Sequence, residues 1–195
     1  NIFSKEFIIE TCDGKKQFVQ TFKNNMSDRT KAKITNKKTA FTKITYLTDF
    51  ERFGLKGINK NHYLMITKRL IDIAACNPTL KIFLNDKPIA FRTFKDYASR
   101  YVTPVFYDQS EHWKIGIGHS TTGFKAISFV NSVETKDGGT HVNNIDWQIT
   151  SYLRDKIKKK YRVDVKPSEL RQHLYLFINC TVINPSFSSQ TKEKL

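Results

Sequence analysis

Apolar and polar residues alternate through Phe7-Ile8-Ile9-Glu10-Thr11 and again through Gln17-Phe18-Val19-Gln20-Thr21-Phe22. Both runs are rich in β-branched and aromatic side chains and read as strands. Asp13-Gly14 lies between them and predicts a hairpin, because a type I′ turn needs positive φ. A polar, Lys- and Thr-rich stretch follows over residues 24–38, and residues 41–46 resume the strand pattern. From Asn61 to Cys76 the apolar positions Tyr63, Ile66, Leu70 and Ile73 recur at helical spacing. Asn77-Pro78 ends that helix, since a residue before proline is pushed out of the α region. Residues 80–84 read as a strand, 85–88 as a turn and 94–101 as a short helix.

The rhythm changes near residue 103 to consecutive strands over 105–107, 112–117 and 124–133. Gly138-Gly139 interrupts the chain, and a long helix is expected over 141–161, with Ile145, Ile149, Tyr152, Leu153 and Ile157 on one side. Pro167-Ser168 opens a short helix, and the strongly apolar run 174–182 reads as a central strand. The tail from Asn184 to Lys192 is polar, hydroxyl-rich and loop-like. Mixed sheet and helix thus occur twice, with a seam near residues 98–104 and neither repeat nor low-complexity linker. The fold class is α+β, as two closely packed units.

The 195 residues suffice for one good-sized domain or two small ones, and 39% hydrophobic with 13% aromatic residues supplies a core. No apolar run approaches the length of a membrane span. Charge changes the picture more. Thirty-three Lys and Arg against 18 Asp and Glu leave a net +15, which draws polyanions: nucleic acid first, then nucleotide phosphates or an anionic membrane surface. The bland alternative is a basic surface that serves solubility alone. Cys12, Cys76 and Cys180 lie far apart without a CxxC pair, so neither a zinc spacing nor a disulfide framework is present. Cys76 and Cys180, in apolar surroundings, read as small core residues. The first residue is Asn1 rather than Met, no signal-peptide pattern opens the chain, and both ends are expected to continue into something longer.

Three segments could carry chemistry. Lys156, Lys158, Lys159, Lys160 and Arg162 close the long helix. The helix dipole favours one or two cations there, but three consecutive lysines gain most by meeting phosphates and releasing condensed counterions. In the terminal loop, the Lys192 ammonium and the Gln190 amide could converge on a phosphate; a lysine in a polar tail is as readily solvated. Gly138-Gly139-Thr140-His141 could cradle a phosphate, yet it lacks the GxxxxGK[ST] or GxGxxG pattern. A tight strand-to-helix turn with Thr140 as the cap suits it better, and a lone His141 at a helix start reads as structural. The remaining histidines are scattered, and no carboxylate pair or Ser/His/Asp set can be assembled.

Several strings together resemble one family. Asn1-Ile2-Phe3-Ser4-Lys5-Glu6-Phe7 resembles the segment after the glycine-rich ATP lid of eukaryotic-type topoisomerase II. Phe41–Tyr46 with Leu47-Thr48-Asp49-Phe50-Glu51-Arg52-Phe53-Gly54 resembles its last nucleotide-pocket strand and the segment just after that strand. Ile127-Ser128-Phe129-Val130-Asn131-Ser132-Val133 before Gly138-Gly139-Thr140-His141-Val142 is similar to a further family string. So is Phe177-Ile178-Asn179-Cys180 before Asn184-Pro185 and Ser189-Gln190-Thr191-Lys192-Glu193. The order and spacing cover nearly the whole chain.

The resemblance to type IIA DNA topoisomerases implies the closing part of a GHKL (Bergerat) ATPase fold over residues 1–98. It implies a ribosomal protein S5 domain 2-like transducer over 99–195. It implies an ATP-hydrolysing isomerase that passes one duplex through another, with ATP and Mg²⁺ as cofactors, DNA bound through phosphates, a homodimer, and no membrane. It places the protein in the nucleus, or in a host nucleus, virus factory or virion for a viral source. Gln190, Thr191 and Lys192 match the family's QTK loop at the γ-phosphate, with Lys192 in a catalytic role. Thr42 matches a threonine beneath the adenine, and Lys158, Lys159 and Lys160 match a lysine-rich loop that meets DNA. The general base, the Mg²⁺ ligands and the DNA-cleaving tyrosine are expected outside this segment, so no metal ligand is assigned here. Competing readings are another GHKL ATPase, of chaperone or mismatch-repair type, and a non-enzymatic basic nucleic-acid-binding module.

Overall fold

A computed structural model describes all 195 residues. By packing, the chain divides into two units, Asn1–Tyr63 and Leu64–Leu195.

The first unit is an antiparallel sheet of β1 (Ser4–Cys12), β2 (Lys16–Lys23), β3 (Asp28–Arg29), β4 (Lys33–Asn36) and β5 (Phe41–Thr48), followed by a 3₁₀ turn over Phe50–Phe53. The strands run in the order β3-β2-β1-β5, and β4 shares with β3 the outer side of β2. Opposed residues share a face. Thr11 stands opposite Phe18 and Thr42, and Ile9 opposite Gln20 and Ile44, so one face is largely apolar. On the other, Glu10 stands opposite Val19 and Lys43. The β1–β2 hairpin forms, but only Gly14 has positive φ, at 92°, which is the pattern of a type II′ rather than a type I′ turn. The Asp13 carboxylate also caps the turn, accepting from the Lys15 and Lys16 amides at 2.7 and 2.8 Å.

In the second unit come α1 (Lys60–Cys76), whose first turn lies in the first unit, β6 (Ile82–Leu84), β7 (Lys87–Ile89), α2 (Phe94–Ala98), β8 (Phe106–Gln109), β9 (Trp113–His119), β10 (Lys125–Val130), β11 (Val133–Glu134), α3 (Thr140–Tyr161), α4 (Pro167–Arg171) and β12 (Leu174–Cys180). The main sheet has the order β11-β10-β12-β9-β8, with β10 and β12 parallel. Antiparallel strands can be joined by a tight turn, but a parallel pair needs a long crossover; α3 and α4 supply it. β12 is central, and its two sides are buried differently. Leu174, Leu176, Ile178 and Cys180 join Val142, with Ile145, Ile149 and Leu153 of α3 packed against them. Phe177 joins Phe129, Phe94, Tyr97, Ala74 and Ala75 on the other side.

That second layer places α2 and most of α1 with the β8–β12 sheet, and the packing boundary falls at residue 63. The last turns of α1, and α2 with its Thr93–Asp96 capping box, bury their apolar faces on the β10–β12 sheet. A buried polar cluster joins the same parts. Tyr97 donates to Asp72 at 2.9 Å, and Lys68 Nζ lies 2.6 Å from Asp72 and 2.8 Å from Glu134 of β11. Burial raises the Asp72 carboxyl above its ordinary value, against the pull of Lys68 and Tyr97. Cys76 and Cys180 are core residues, and burial pushes their thiols up to about 12 and about 11.

Candidate functional site

The tail after β12 folds back onto the start of α3 and is held there by its backbone. The Asp137 amide donates to the Glu193 carbonyl at 2.9 Å, the Thr140 amide to the Leu195 carbonyl at 3.2 Å, and the Leu195 amide to the Gly138 carbonyl at 3.1 Å. The Ser188 amide closes the loop on the Lys194 carbonyl at 3.0 Å. Glycine at 139 is required twice over. Its φ is 138° with ψ −163°, a region almost confined to glycine. A Cβ there would also overlap the backbone of Leu195. Gly139, not Thr140, is the N-cap, and Thr140 is the first helical residue, its amide donating to the Leu195 carbonyl.

Next to these anchors lie Gln190, Thr191 and Lys192, three of the four residues expected to bind nucleotide. Lys192 takes positive φ, 60°, and its amide donates to the Ser189 carbonyl at 3.1 Å, a tight turn that leaves the Gln190, Thr191 and Lys192 side chains at the surface. The nearby carboxylate does not quench the ammonium. Glu193 accepts from the Thr191 hydroxyl at 3.2 Å and lies 3.8 Å from Lys136 Nζ, whereas Lys192 Nζ sits 5.8 Å from the Phe187 ring centroid with no ion pair. An unneutralised ammonium, an amide and a hydroxyl on one turn are a donor set for phosphate oxygens. Thr42 belongs to the first unit. It stands on β5 opposite Thr11, their hydroxyl oxygens 3.4 Å apart, on the sheet face that carries Phe18 and Ile44.

His141 is structural, as its position at a helix start suggests. It is buried, its Nε2 lies 3.1 Å from the Thr135 hydroxyl, and that hydroxyl lies 2.6 Å from Ser128 Oγ. Nδ1 has no partner, and burial lowers the ring's pKa below its ordinary value, so the neutral form is favoured. This cluster fixes the 135–141 turn against β10.

Lys158, Lys159 and Lys160 occupy the last turn of α3, which Arg162 closes in the left-handed conformation. All three are exposed. Lys158 pairs with Asp164 at 3.1 Å and Lys160 lies over the Tyr161 ring at 5.0 Å, while Lys159 has neither contact. Sequence reasoning missed that one helix joins the two candidate regions. The residues just after the QTK turn, Glu193 and Leu195, are bonded to the chain at the N-terminus of α3, and the lysines form its C-terminus. The helix is 22 residues long, about 33 Å at 1.5 Å per residue. An apolar cavity of about 740 Å³ is lined by Ile149, Tyr152, Leu153, Leu170, His173 and others, and no residue of the QTK turn lines it.

A family model for DNA gyrase B matches residues 83–195. The chain is 40% identical over 209 residues to a probable DNA topoisomerase 2 of Dictyostelium discoideum, a match that takes in all of this chain and 14% of that protein. It is 40% identical over 209 residues to DNA topoisomerase 2 of Acanthamoeba polyphaga mimivirus, covering 100% of this chain and 16% of that one. The solved ATPase region of Saccharomyces cerevisiae topoisomerase II superposes with a TM-score of 0.89 at 37% identity, covering 100% of this chain and 52% of that one. The ATPase and transducer domains of DNA topoisomerase II from Balamuthia mandrillaris give 0.90 at 36%, covering 100% and 53%. The chain therefore spans about one-seventh to one-sixth of those curated relatives and about half of the solved chains.

Gly139→Ala is expected to cost about 1–3 kcal/mol from the backbone conformation alone. It should also release the tail, seen as faster hydrogen exchange at the Thr140 and Leu195 amides; protection equal to the parent's would show that the tail does not depend on this glycine. Because the folded pKa of His141 is depressed, the unfolded state binds more protons below about 6.5, its ordinary value. Stability from this group is present above that value and lost as pH falls through the folded pKa. The thermal midpoint should therefore drop from about pH 7.5 to about pH 5.5, and His141→Gln should flatten that drop; an identical pH profile in the variant counts against the assignment.

Proposed function

The chain belongs to the DNA gyrase B family of type IIA DNA topoisomerases, and from that membership we propose that it couples nucleotide binding to DNA handling in an ATP-dependent, double-strand-passing enzyme. One observation carries the proposal: the tail that directly follows Gln190, Thr191 and Lys192 is bonded through Glu193 and Leu195 to residues 137–140 at the start of α3, and Lys158, Lys159 and Lys160 form the other end of that helix. Residues 1–98 are assigned to the closing part of the GHKL ATPase fold and 99–195 to the transducer. Supporting this, the matched solved chain from Balamuthia mandrillaris contains ATPase and transducer domains.

In this reading Lys192 directs its ammonium at the γ-phosphate of ATP, and Gln190 and Thr191 supply neutral donors to the remaining oxygens. Lys192 has no carboxylate to leave before it binds, because Glu193 is occupied by Lys136 and Thr191. Thr42 offers its hydroxyl on a largely apolar face suited to a flat adenine ring. A γ-phosphate that draws on the turn biases the tail, and the tail is continuous in hydrogen bonds with the first residue of α3. A ligand shifts a conformational equilibrium only through interactions that differ between states; the γ-phosphate, present in ATP and missing from ADP, supplies that difference. At the far end Lys158, Lys159 and Lys160 meet DNA phosphates without reading bases.

Mg²⁺, when bound, neutralises phosphate charge. Its ligands and the general base are proposed to lie in the rest of the protein. The active form is proposed to be a homodimer. Relatives come from eukaryotes and a virus, and one is named as mitochondrial, so the proposed setting is a DNA-containing compartment, the nucleus in a eukaryote.

In the full-length enzyme Lys192→Ala should lower ATP turnover about 10²–10³-fold, the usual loss for one donor aimed at developing charge, while a fluorescent ATP analogue still binds. Turnover at the parent rate removes Lys192 from the mechanism. Replacing Lys158, Lys159 and Lys160 with Ala should reduce the slope of log affinity for duplex DNA against log salt by about 0.9 for each phosphate no longer neutralised. An unaltered slope leaves those lysines as a solvated helix end.

A further inference from the structure

The first unit concentrates unpaired positive charge on one edge of its sheet. From Arg29 to Lys43 the chain carries Arg29, Lys31, Lys33, Lys37, Lys38 and Lys43 and no acidic residue. β4 pairs with β2 from Lys16↔Asn36 to Val19↔Lys33, and the ladder continues where the Lys37 amide donates to the Lys15 carbonyl at 3.0 Å. Since opposed residues share a face and alternate ones repeat it, Lys33, Lys37 and Lys15 fall on the same face as Glu10 and Lys43. Lys37 bears this out by lying over the ring of Phe41, 4.5 Å from its centroid, a residue opposite Cys12 on that face.

The lysines of this face differ in their partners. Lys43 is answered by Glu10 at 3.0 Å and Lys23 by Glu6 at 3.7 Å. No carboxylate lies within ion-pair distance of Lys15, Lys33 or Lys37. The one acid nearby, Asp13, gives its oxygen to the Lys15 and Lys16 amides, and those bonds hold its carboxyl below its ordinary value. Lysine on an edge strand prevents unwanted strand pairing, and Lys33 serves that end. Lys15, in the turn, and Lys37, beyond the end of β4, guard no such edge.

We propose that this edge, with Lys15, Lys33 and Lys37 at its centre and Lys31 and Lys38 at its ends, is a second surface for the phosphate backbone of duplex DNA, separate from the lysines that end α3. The proposal rests on the reading of the chain as part of a DNA-handling enzyme. Alternate residues on a strand lie about 6.6 Å apart, so Lys33 and Lys37, two such steps apart with Thr35 between them, stand about 13 Å apart, with Lys15 beside Lys37. A row of like charges is relieved best by a partner that is itself a row of anions and releases its counterions on binding. A membrane surface would need an apolar flank beside the charges, but Ile34 stands opposite Phe18 on the other face.

The test is binding of a short random-sequence duplex to the protein, followed by fluorescence anisotropy between about 50 and 200 mM salt. The variants are Lys15→Gln/Lys33→Gln/Lys37→Gln, the same three positions changed to Arg, and the Lys158/Lys159/Lys160→Ala protein. The Gln variant should lose about 0.9 of slope per phosphate, roughly 2–3 in all, with an unchanged thermal midpoint; the Arg variant, which keeps the charge, should keep the slope. A Gln variant with the parent slope overturns the proposal. So does loss of binding to polyglutamate without any change toward DNA, which would assign the edge to an acidic protein. If the helix-end variant loses slope and the edge variant does not, the edge proposal fails and the reading of α3 stands. If the edge variant alone loses slope, the edge stands and the role of Lys158, Lys159 and Lys160 fails.

Discussion

Three backbone hydrogen bonds, between residues 137–140 and 193–195, decide what the second unit can do. They hold the tail by atoms every residue possesses, and so leave the Gln190 and Lys192 side chains without an ion pair or side-chain hydrogen bond, while the Thr191 hydroxyl is held by Glu193 and Ser189. A loop anchored through its side chains would have used up the groups a phosphate needs. The cost falls on Gly139, whose backbone conformation and closeness to Leu195 leave no room for a side chain. Gly-Gly before a helix looks like a phosphate cradle, but here the bonding groups of the turn serve another part of the same chain.

The turn that receives the tail is itself fixed from within. Ser128, Thr135 and His141 form a buried hydroxyl–imidazole cluster, and Lys68, Asp72 and Glu134 tie α1 to the strand just before it. Buried polar groups are costly when unpaired, so such clusters tolerate few alternative arrangements. The rigid path from the QTK turn through α3 therefore begins on a platform held on two sides. An isolated loop of the same composition would have no element through which to report its ligand.

Charge follows a comparable division. Several half-exposed cations are matched: Lys43 with Glu10, Lys68 with Asp72 and Glu134, Arg171 with Asp146. Lys159 at the end of α3, Lys192 in the turn, and Lys15, Lys33 and Lys37 beside β4 are exposed lysines with no acidic partner. Part of the net charge of +15 is thus left at the surface for a polyanion.

Periodicity alone was enough for α1, α3, the β1–β2 hairpin and the central β12, where a long apolar pattern leaves one sensible element. The four family strings, with Gln190-Thr191-Lys192 at the end, carried the family and the candidate phosphate loop. Three features were beyond the sequence. β4 has Ile34 as its one apolar residue, so its pairing with β2 has no alternation to announce it. The packing of α1 and α2 on the second sheet depends on which apolar faces meet, and composition near residues 98–104 does not record that. The pairing of residues 193–195 with the Gly138-Gly139 turn joins segments some fifty residues apart through backbone atoms, which are the same in every sequence. Local pattern determines which elements form, because it acts through neighbouring side chains; tertiary structure decides which ends meet, because that depends on backbone groups finding partners far along the chain.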